Sequence, residues 1–321
     1  MPKLLCMRLR LVYNEGKGEA MKLDHYLKSK LTMSQCLRVA VACAEDEAVL
    51  TALSQAAEEG WIEAYLYGDK AKIETILNDL KLSFKLQIFH SESAEEACSF
   101  AVQAVHKGEA ELLMKGLVDT SVFLKAVLNK EWGIRKASVL SHVTVAYVPK
   151  RDHIYLISDA AMNIAPDLMV KKAIIENCVG VAHALGMEDP KVAVLSAVEK
   201  VNPRMQSSVD AAELSAMAKR GEIVGCQVDG PFALDNAVDE EAAHHKGVTH
   251  PNAGQADVLI VPNIEAGNVL FKAITFLAYG ETAGVVMGAS APIILTSRAD
   301  KAEDKYHSIL LAHLLKGQPH G

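Results

Sequence analysis

Near the C-terminus, Leu295-Thr296-Ser297-Arg298 closes an apolar run that starts at Pro292, and Asp304 falls in the first turn of the helical pattern that follows. A hydroxyl beside a guanidinium at the end of a strand suits an anionic ligand, since ligands of open α/β sheets bind there, against helix N-termini. A carboxylate one turn into the next helix could take a proton. A plainer account makes Ser297 a turn residue, Arg298 a solvated surface charge and Asp304 an acid that complements the helix dipole. Asp300 with Glu303 has the spacing of a capping box for the last helix.

Other stretches have the same strand-to-helix placement. Pro262-Asn263-Ile264-Glu265-Ala266-Gly267-Asn268 joins an apolar strand to a helix. Gly267 permits close backbone approach, and Asn263 or Asn268 could cap the helix. In Ser158-Asp159-Ala160-Ala161-Met162-Asn163, Asp159 and Asn163 could orient a substrate or close a turn. Lys115, in Met114-Lys115-Gly116, could contact an anion or be an ordinary surface lysine. Glu241 and His245 have helical i,i+4 spacing, which hints at a metal. His245 and Lys246 in a last turn closed by Gly247 complement the helix dipole, a better account, and no metal is expected. Arg135, Lys200, Arg204 and Lys272 could line a phosphate path or be solvated. No Gly-x-Gly-x-x-Gly and no Gly-x-x-x-x-Gly-Lys-Ser/Thr occurs, which weighs against a dinucleotide fingerprint and a P-loop.

The elements that must position these residues alternate between short apolar runs and helical periods. Strands are expected at 39–43, 62–67, 86–89 and 110–114, with helices at 47–59, 70–80, 94–106 and 121–129. That alternation predicts a parallel sheet between helices. Residues 138–148 and 153–158 read as an antiparallel hairpin turning at Pro149-Lys150-Arg151-Asp152. Helices follow at 167–185, 210–219, 234–246, 269–277 and 301–315, and strands at 192–198, 256–262, 284–287 and 293–295.

At 321 residues the chain has room for two domains. It is 50% hydrophobic and 23% charged, as an ordinary globular protein is, and a net charge of -7 argues against a broad nucleic-acid surface. Its six cysteines include no Cys-x-x-Cys pair, which fits reduced thiols of a cytoplasmic protein. No apolar run approaches the ~20 residues that span a bilayer, and the N-terminus lacks a signal peptide's layout. Residues 1–20 are turn-like and without apolar period, so they are expected to be a mis-called start or a disordered extension.

The stretches around Ser297 and Asn263 together resemble the phosphate acetyl- and butyryltransferase family, over nearly everything from Arg38 to Leu315. In that family the Ser-Arg pair and the acid seven residues after the Ser are catalytic, so the resemblance assigns those roles to Ser297, Arg298 and Asp304. It implies that Lys115, Asp159, Asn163, Asn263, Gly267, Asn268, His245 and Lys246 face or bind substrate. Lys115, where the acetyl branch has a Ser, and His244-His245-Lys246-Gly247 are similar to the butyryl-type branch. The implied fold is α/β, two domains similar to the isocitrate/isopropylmalate dehydrogenases with an active-site cleft between them. Domain I would comprise 21–137 and 288–321, and domain II 138–287.

The implied reaction is acyl-CoA + phosphate ⇌ acyl phosphate + CoA, with a short-chain butyryl or branched acyl group. Coenzyme A enters as substrate, no tightly bound cofactor is implied, and a homo-oligomer is expected. The CoA thiolate would attack the acyl phosphate directly in a ternary complex. Ser297 would hydrogen-bond the thiol, Arg298 would neutralise phosphate or the tetrahedral oxygen, and Asp304 would accept the proton. Ionising a thiol of pKa ~8.5 at pH 7 costs only about 2 kcal/mol, roughly 30-fold in rate. Full transfer to an Asp of pKa ~3.9 is uphill by about 6 kcal/mol, so a base there needs a raised pKa or concerted transfer. Positioning and charge stabilisation by Arg298 should dominate. Alternatives are a phosphate acetyltransferase, a dehydrogenase on the same fold, and a non-catalytic CoA-binding protein.

Overall fold

Apolar runs rich in Val, Ile and Leu build the strands, and stretches with helical period, several of them with an acidic or hydroxyl cap, build the helices between them. The computed structural model describes residues 22–31 and 35–317, so the expectation for residues 1–20 lies outside the described residues. The first half contains α1 (Leu23–Lys30), β1 (Leu37–Ala42), α2 (Glu47–Glu58), β2 (Ile62–Gly68) and α3 (Lys70–Asp79). It continues with β3 (Leu86–His90), α4 (Ala94–His106), β4 (Leu112–Lys115) and α5 (Thr120–Val127). A hairpin of β5 (Ser141–Val148) and β6 (His153–Ser158) leads to α6 (Leu168–Ala184), β7 (Lys191–Leu195), α7 (Gln206–Lys219) and β8 (Gln227–Phe232). Then come α8 (Leu234–Val238), α9 (Glu240–His245), β9 (Val258–Ile260), α10 (Ile264–Phe276), β10 (Glu281–Met287), β11 (Ile293–Ile294) and α11 (Ala302–Gly317).

All eleven strands among the described residues join one sheet in the order β3-β2-β1-β4-β11-β10-β5-β6-β9-β7-β8. The outer strands run parallel within each half, as the alternation predicts. The middle is antiparallel: β10 against both β11 and β5, and β5 against β6. The sheet is therefore mixed, and β10 and β11 return from the end of the chain to its centre.

Side-chain alternation along the central strands explains both faces. Val143, Val145 and Tyr147 of β5 point to one face, where a single apolar cluster runs the width of the sheet beneath α2, α6, α7 and α11. The other face carries two separate clusters. One joins Ala40, Leu113, Val286 and Ile293 to α4 and α5. The second joins Ala146, Ile157, Ala193 and Leu259 to the residues of α8 and α10. Between them the same face presents His142, Thr144, Thr282 and Gly284, which an apolar helix cannot cover without stranding polar groups.

Four expectations need correction. Strand β8 goes unpredicted because Asp229, Gly230 and Pro231 break its apolar pattern; at the sheet's edge a Pro is tolerated. The single helix expected at 234–246 is two short ones, since Asp239 is extended and caps α9 by accepting the Ala242 N–H. Helix α10 starts at Ile264 rather than 269, because Asn263 accepts the Ala266 N–H as its cap. Asp300 forms no capping box: its carboxylate is taken by the Ser297 N–H instead.

Candidate active site

The polar gap in the sheet's second face opens into a cavity of about 230 Å³, whose walls include Ser297, Asp300, Asp304, Asn268, Phe271 and Lys272. Strand β11 ends at Ile294, while β10 extends past it toward Glu281, so the N–H groups of Thr282 and Gly284 face no strand on that side. Helix α11 supplies the missing partners. Asp304 Oδ1 accepts the Thr282 N–H at 3.3 Å and the Thr282 hydroxyl at 2.9 Å, and Ser308 Oγ accepts the Gly284 N–H at 2.9 Å. A buried His307 Nδ1 lies 3.3 Å from the Thr282 carbonyl. Residues 304, 307 and 308 share one helical face, so one turn of α11 completes the edge of β10 and carries Asp304 into the cavity wall.

Ser297 lies between β11 and α11. Its N–H donates to Asp300 Oδ2 at 2.6 Å, its Oγ accepts the Ala299 N–H at 3.3 Å, and its carbonyl accepts from Lys305 Nζ at 2.9 Å. Arg298 is exposed and donates through Nη2 to Asp119 Oδ1 at 2.5 Å. Burial pushes the Asp300 carboxyl up from its ordinary range and the Lys305 ammonium down. Beneath them His142 is buried, which pushes its imidazole down from the ordinary range; its Nε2 lies 3.2 Å from the Leu295 carbonyl.

The remaining candidates divide by role. Asp159 Oδ1 accepts the Ala161 and Met162 N–H groups, and Oδ2 accepts from the Asn163 N–H and side-chain amide. Asn163 also donates to the Leu140 carbonyl at 2.9 Å, so this pair closes the turn after β6. That turn carries Ala160 and Ala161 into the cavity wall. Gly267 packs against it: a Cβ there would sit 2.7 Å from the Asp159 carbonyl oxygen and 2.9 Å from the Ala160 Cα. Asn268 reaches the Ala160 carbonyl at 3.4 Å and lines the cavity. Asn263 is the cap of α10 and faces a different cavity, with Lys171 and Asp210.

Lys115 is 4% exposed, with Nζ donating to the Gly116 and Val118 carbonyls. Burial, then the neighbouring Lys305 and Arg298, push its ammonium down. His245 and Lys246 end α9, with Lys246 paired to Asp235 at 2.8 Å, and neither lines the Ser297 cavity. Of the four scattered basic residues, Lys272 alone lines it, and Lys272 has no ion-pair partner among the described residues. No three His, Cys, Asp or Glu side chains among the described residues gather as a metal site.

Sequence reasoning overlooked His142, Thr144, Thr282 and Lys305. The first two were visible as polar residues on one face of the apolar run at 138–148. Lys305 gave no sign, because a lysine in the first turn of a terminal helix reads as surface.

A family model described as "Phosphate acetyl/butaryl transferase" matches residues 86–313. The chain belongs to the phosphate acetyl/butyryltransferase family. Members of this acyltransferase family close to it include the phosphate butyryltransferase of Clostridium beijerinckii, 48% identical over 290 residues, 90% of this chain and 96% of that protein. The phosphate butyryltransferase of Clostridium acetobutylicum is 46% identical over 289 residues, covering 90% of this chain and 96% of that one. Among solved structures, a branched-chain phosphotransacylase from Enterococcus faecalis V583 matches with a TM-score of 0.78 and 33% identity, covering 88% of this chain and 100% of that chain. Family membership thus rests on the whole α/β body as well as on the Ser297–Asp304 stretch.

Proposed function

We propose that this chain exchanges a four- or five-carbon acyl group between coenzyme A and inorganic phosphate, acyl-CoA + phosphate ⇌ acyl phosphate + CoA. The observation that carries the reading is the meeting of Ser297, Asp304, Lys272 and Phe271 around one cavity at the break in the sheet's apolar cover. A hydroxyl, a carboxylate, an ammonium and an apolar ring are the groups that a thiol, a proton, a phosphate and an acyl chain require. The names of the Clostridium relatives support a butyryl-type substrate, and that of the Enterococcus structure supports branched chains.

In this mechanism the acyl phosphate lies with its phosphate toward Lys272 and Arg298 and its chain toward Phe271. The Ser297 hydroxyl donates to the CoA sulfur, whose proton passes to Asp304 as sulfur attacks the carbonyl. The carbon–oxygen bond to phosphate then breaks, and phosphate leaves against the two cations. Arg298 gives up its exposed pair with Asp119 to do this. The Asp159–Asn163 turn, Asn268 and Gly267 hold the opposite wall, while the buried Lys115, held by the Gly116 and Val118 carbonyls, adds positive charge behind Lys305 and Arg298. Asn263, His245 and Lys246 are left for the nucleotide end of CoA, beyond the reaction cavity. CoA is a substrate in this reading, and no tightly bound cofactor takes part.

The two-domain, dehydrogenase-like architecture belongs to the same proposal. Division into 21–137 with 288–321 and 138–287 is supported in outline by the two apolar clusters on one face, which part between β10 and β5, so that Val286 packs with the first unit. Free cysteines among the described residues support a cytoplasmic enzyme, and no described helix is long and apolar enough to cross a membrane. Exposed Val269, Phe276, Leu277 and Tyr279 around α10 support a homo-oligomer.

Thiol release from acyl-CoAs, acetyl through branched pentanoyl, with and without phosphate, tests the reaction. Phosphate-dependent release fastest on four- or five-carbon chains is expected. An acetyl optimum would reassign the substrate to the acetyl branch, and no phosphate-dependent release on any chain would reject acyl transfer.

A further inference from the structure

The peptide of Ser297 is gripped at both ends by oppositely charged side chains for which the reaction above has no use. Asp300 Oδ2 takes its N–H at 2.6 Å, and Lys305 Nζ donates to its carbonyl at 2.9 Å. Lys305 is 2% exposed, a costly place for an ammonium unless the surroundings compensate. They do so in part: Nζ lies 3.4 Å from Thr296 Oγ1, and the carboxylates of Asp300, Asp46 and Asp304 favour its charge.

Asp300 could have capped α11, which begins two residues later, but spends that oxygen on Ser297. Its other oxygen makes no hydrogen bond among the described residues, although Asp300 lines the cavity. The turn itself is on the rim, where Arg298 and Ala299 are exposed. An exposed turn held only by its own backbone moves too freely for a reacting hydroxyl, which needs placement to about 0.5 Å.

We propose that Asp300 and Lys305 are positioning residues, a charged clamp that fixes the Ser297 peptide and so keeps Oγ directed into the cavity. This rests on the acyl-transfer reading, within which the clamp acts through Ser297 and touches neither CoA nor acyl phosphate. Loss of the clamp therefore lowers kcat and leaves KM for acyl-CoA nearly unchanged. A misplacement of about 1 Å at a reacting group costs on the order of a hundredfold, so Asp300→Ala should lower kcat by about ten- to a hundredfold. Asp300→Asn keeps an oxygen acceptor in place and should recover most of the rate.

A double-mutant cycle with Ser297→Ala tests the clamp, with melting curves for every variant. If Asp300 acts through Oγ, then in the Ser297→Ala background Asp300→Ala should change residual kcat by less than about twofold, the usual error of additivity. Lys305→Met, which leaves no unpaired ammonium, should behave likewise and serves if Asp300→Ala does not fold. Fully additive losses, or an Asp300→Asn variant as damaged as Asp300→Ala, would overturn the clamp and make Asp300 an independent group. A wild type inactive on every acyl-CoA would reject acyl transfer and the clamp with it, whereas an active wild type with additive losses rejects the clamp alone.

Discussion

Arg298 and Asp304 differ in how freely each can serve a substrate. The Arg298–Asp119 pair is mostly exposed, at 56% and 73%, and exposed pairs contribute only about 0–1 kcal/mol. Exchanging Asp119 for a phosphate oxygen therefore costs less than about tenfold. Asp304 is committed through one oxygen to Thr282, so only the other is available to a thiol. Loss of a charge-stabilising donor typically costs about 10²–10³ in rate, whereas the proton acceptor is worth at most the ~30-fold needed to ionise the thiol at pH 7. Arg298→Ala should thus lower kcat more than Asp304→Asn, and equal or reversed losses in steady-state assays would refute that ordering. The Asp304→Asn loss should also shrink as pH rises toward ~8.5, where the thiolate forms unaided. A loss constant across that range would mean that Asp304 serves mainly to hold β10.

At the scale of elements, the sequence was most legible where one local rule acted alone. Asp46, Asp69 and Ser93 cap α2, α3 and α4 as their types predict, and Asp167 caps α6. Legibility failed where a competing contact, or the place of a strand in the sheet, overrode the expected local rule. Asp300 has the spacing of a cap but binds Ser297, and β8 carries a Pro that only its edge position excuses. The candidate site was partly legible: the Ser297, Asp159 and Asn263 stretches all follow strands, and Ser297, Asp304, Asn268 and the Ala160–Ala161 turn line one cavity, whereas Asn263, Lys115, Arg298, His245 and Lys246 do not. The function of Asp159 and Asn163 was not, because a carboxylate that closes a turn and one that binds substrate have the same sequence. Gly267 is the joint between two of these stretches, α10 and the turn after β6. A methyl there would press on the backbone of Asp159 and Ala160, which cannot move as a side-chain end would. Gly267→Ala should cost about 1–3 kcal/mol and lower activity beyond what the melting shift explains, since Asn268 and Lys272 move with the helix. An unchanged melting temperature with full activity would show that α10 can slide without harm to the cavity.

Over the whole molecule, the chain's last segment is the most central part of the sheet. Strands β10 and β11 lie between β4 and β5, and α11 covers them, so the two halves of the molecule meet through residues that arrive last. Tyr306 reaches back to Glu59 of the first half with a 2.7 Å hydrogen bond, and its ring packs with Ile309, Leu310, Leu311 and Leu314 in the cluster that spans the sheet. Full burial of each such apolar side chain contributes about 1.5–3 kcal/mol. Four of them reach roughly 6–12 kcal/mol, comparable with the whole stability of a typical domain, about 5–15 kcal/mol. A chain ending at Gly280 would lose that burial and leave the facing edges of β4 and β5 unpaired in the middle of the sheet. Such a chain should show no cooperative thermal transition by circular dichroism and should aggregate on gel filtration, through those edges. A monomer that keeps a sharp transition would mean that β1–β4 with α2–α5 fold without the C-terminal segment. The two halves would then be independent units that β10, β11 and α11 merely join, and the cavity at their seam would depend on that joint alone.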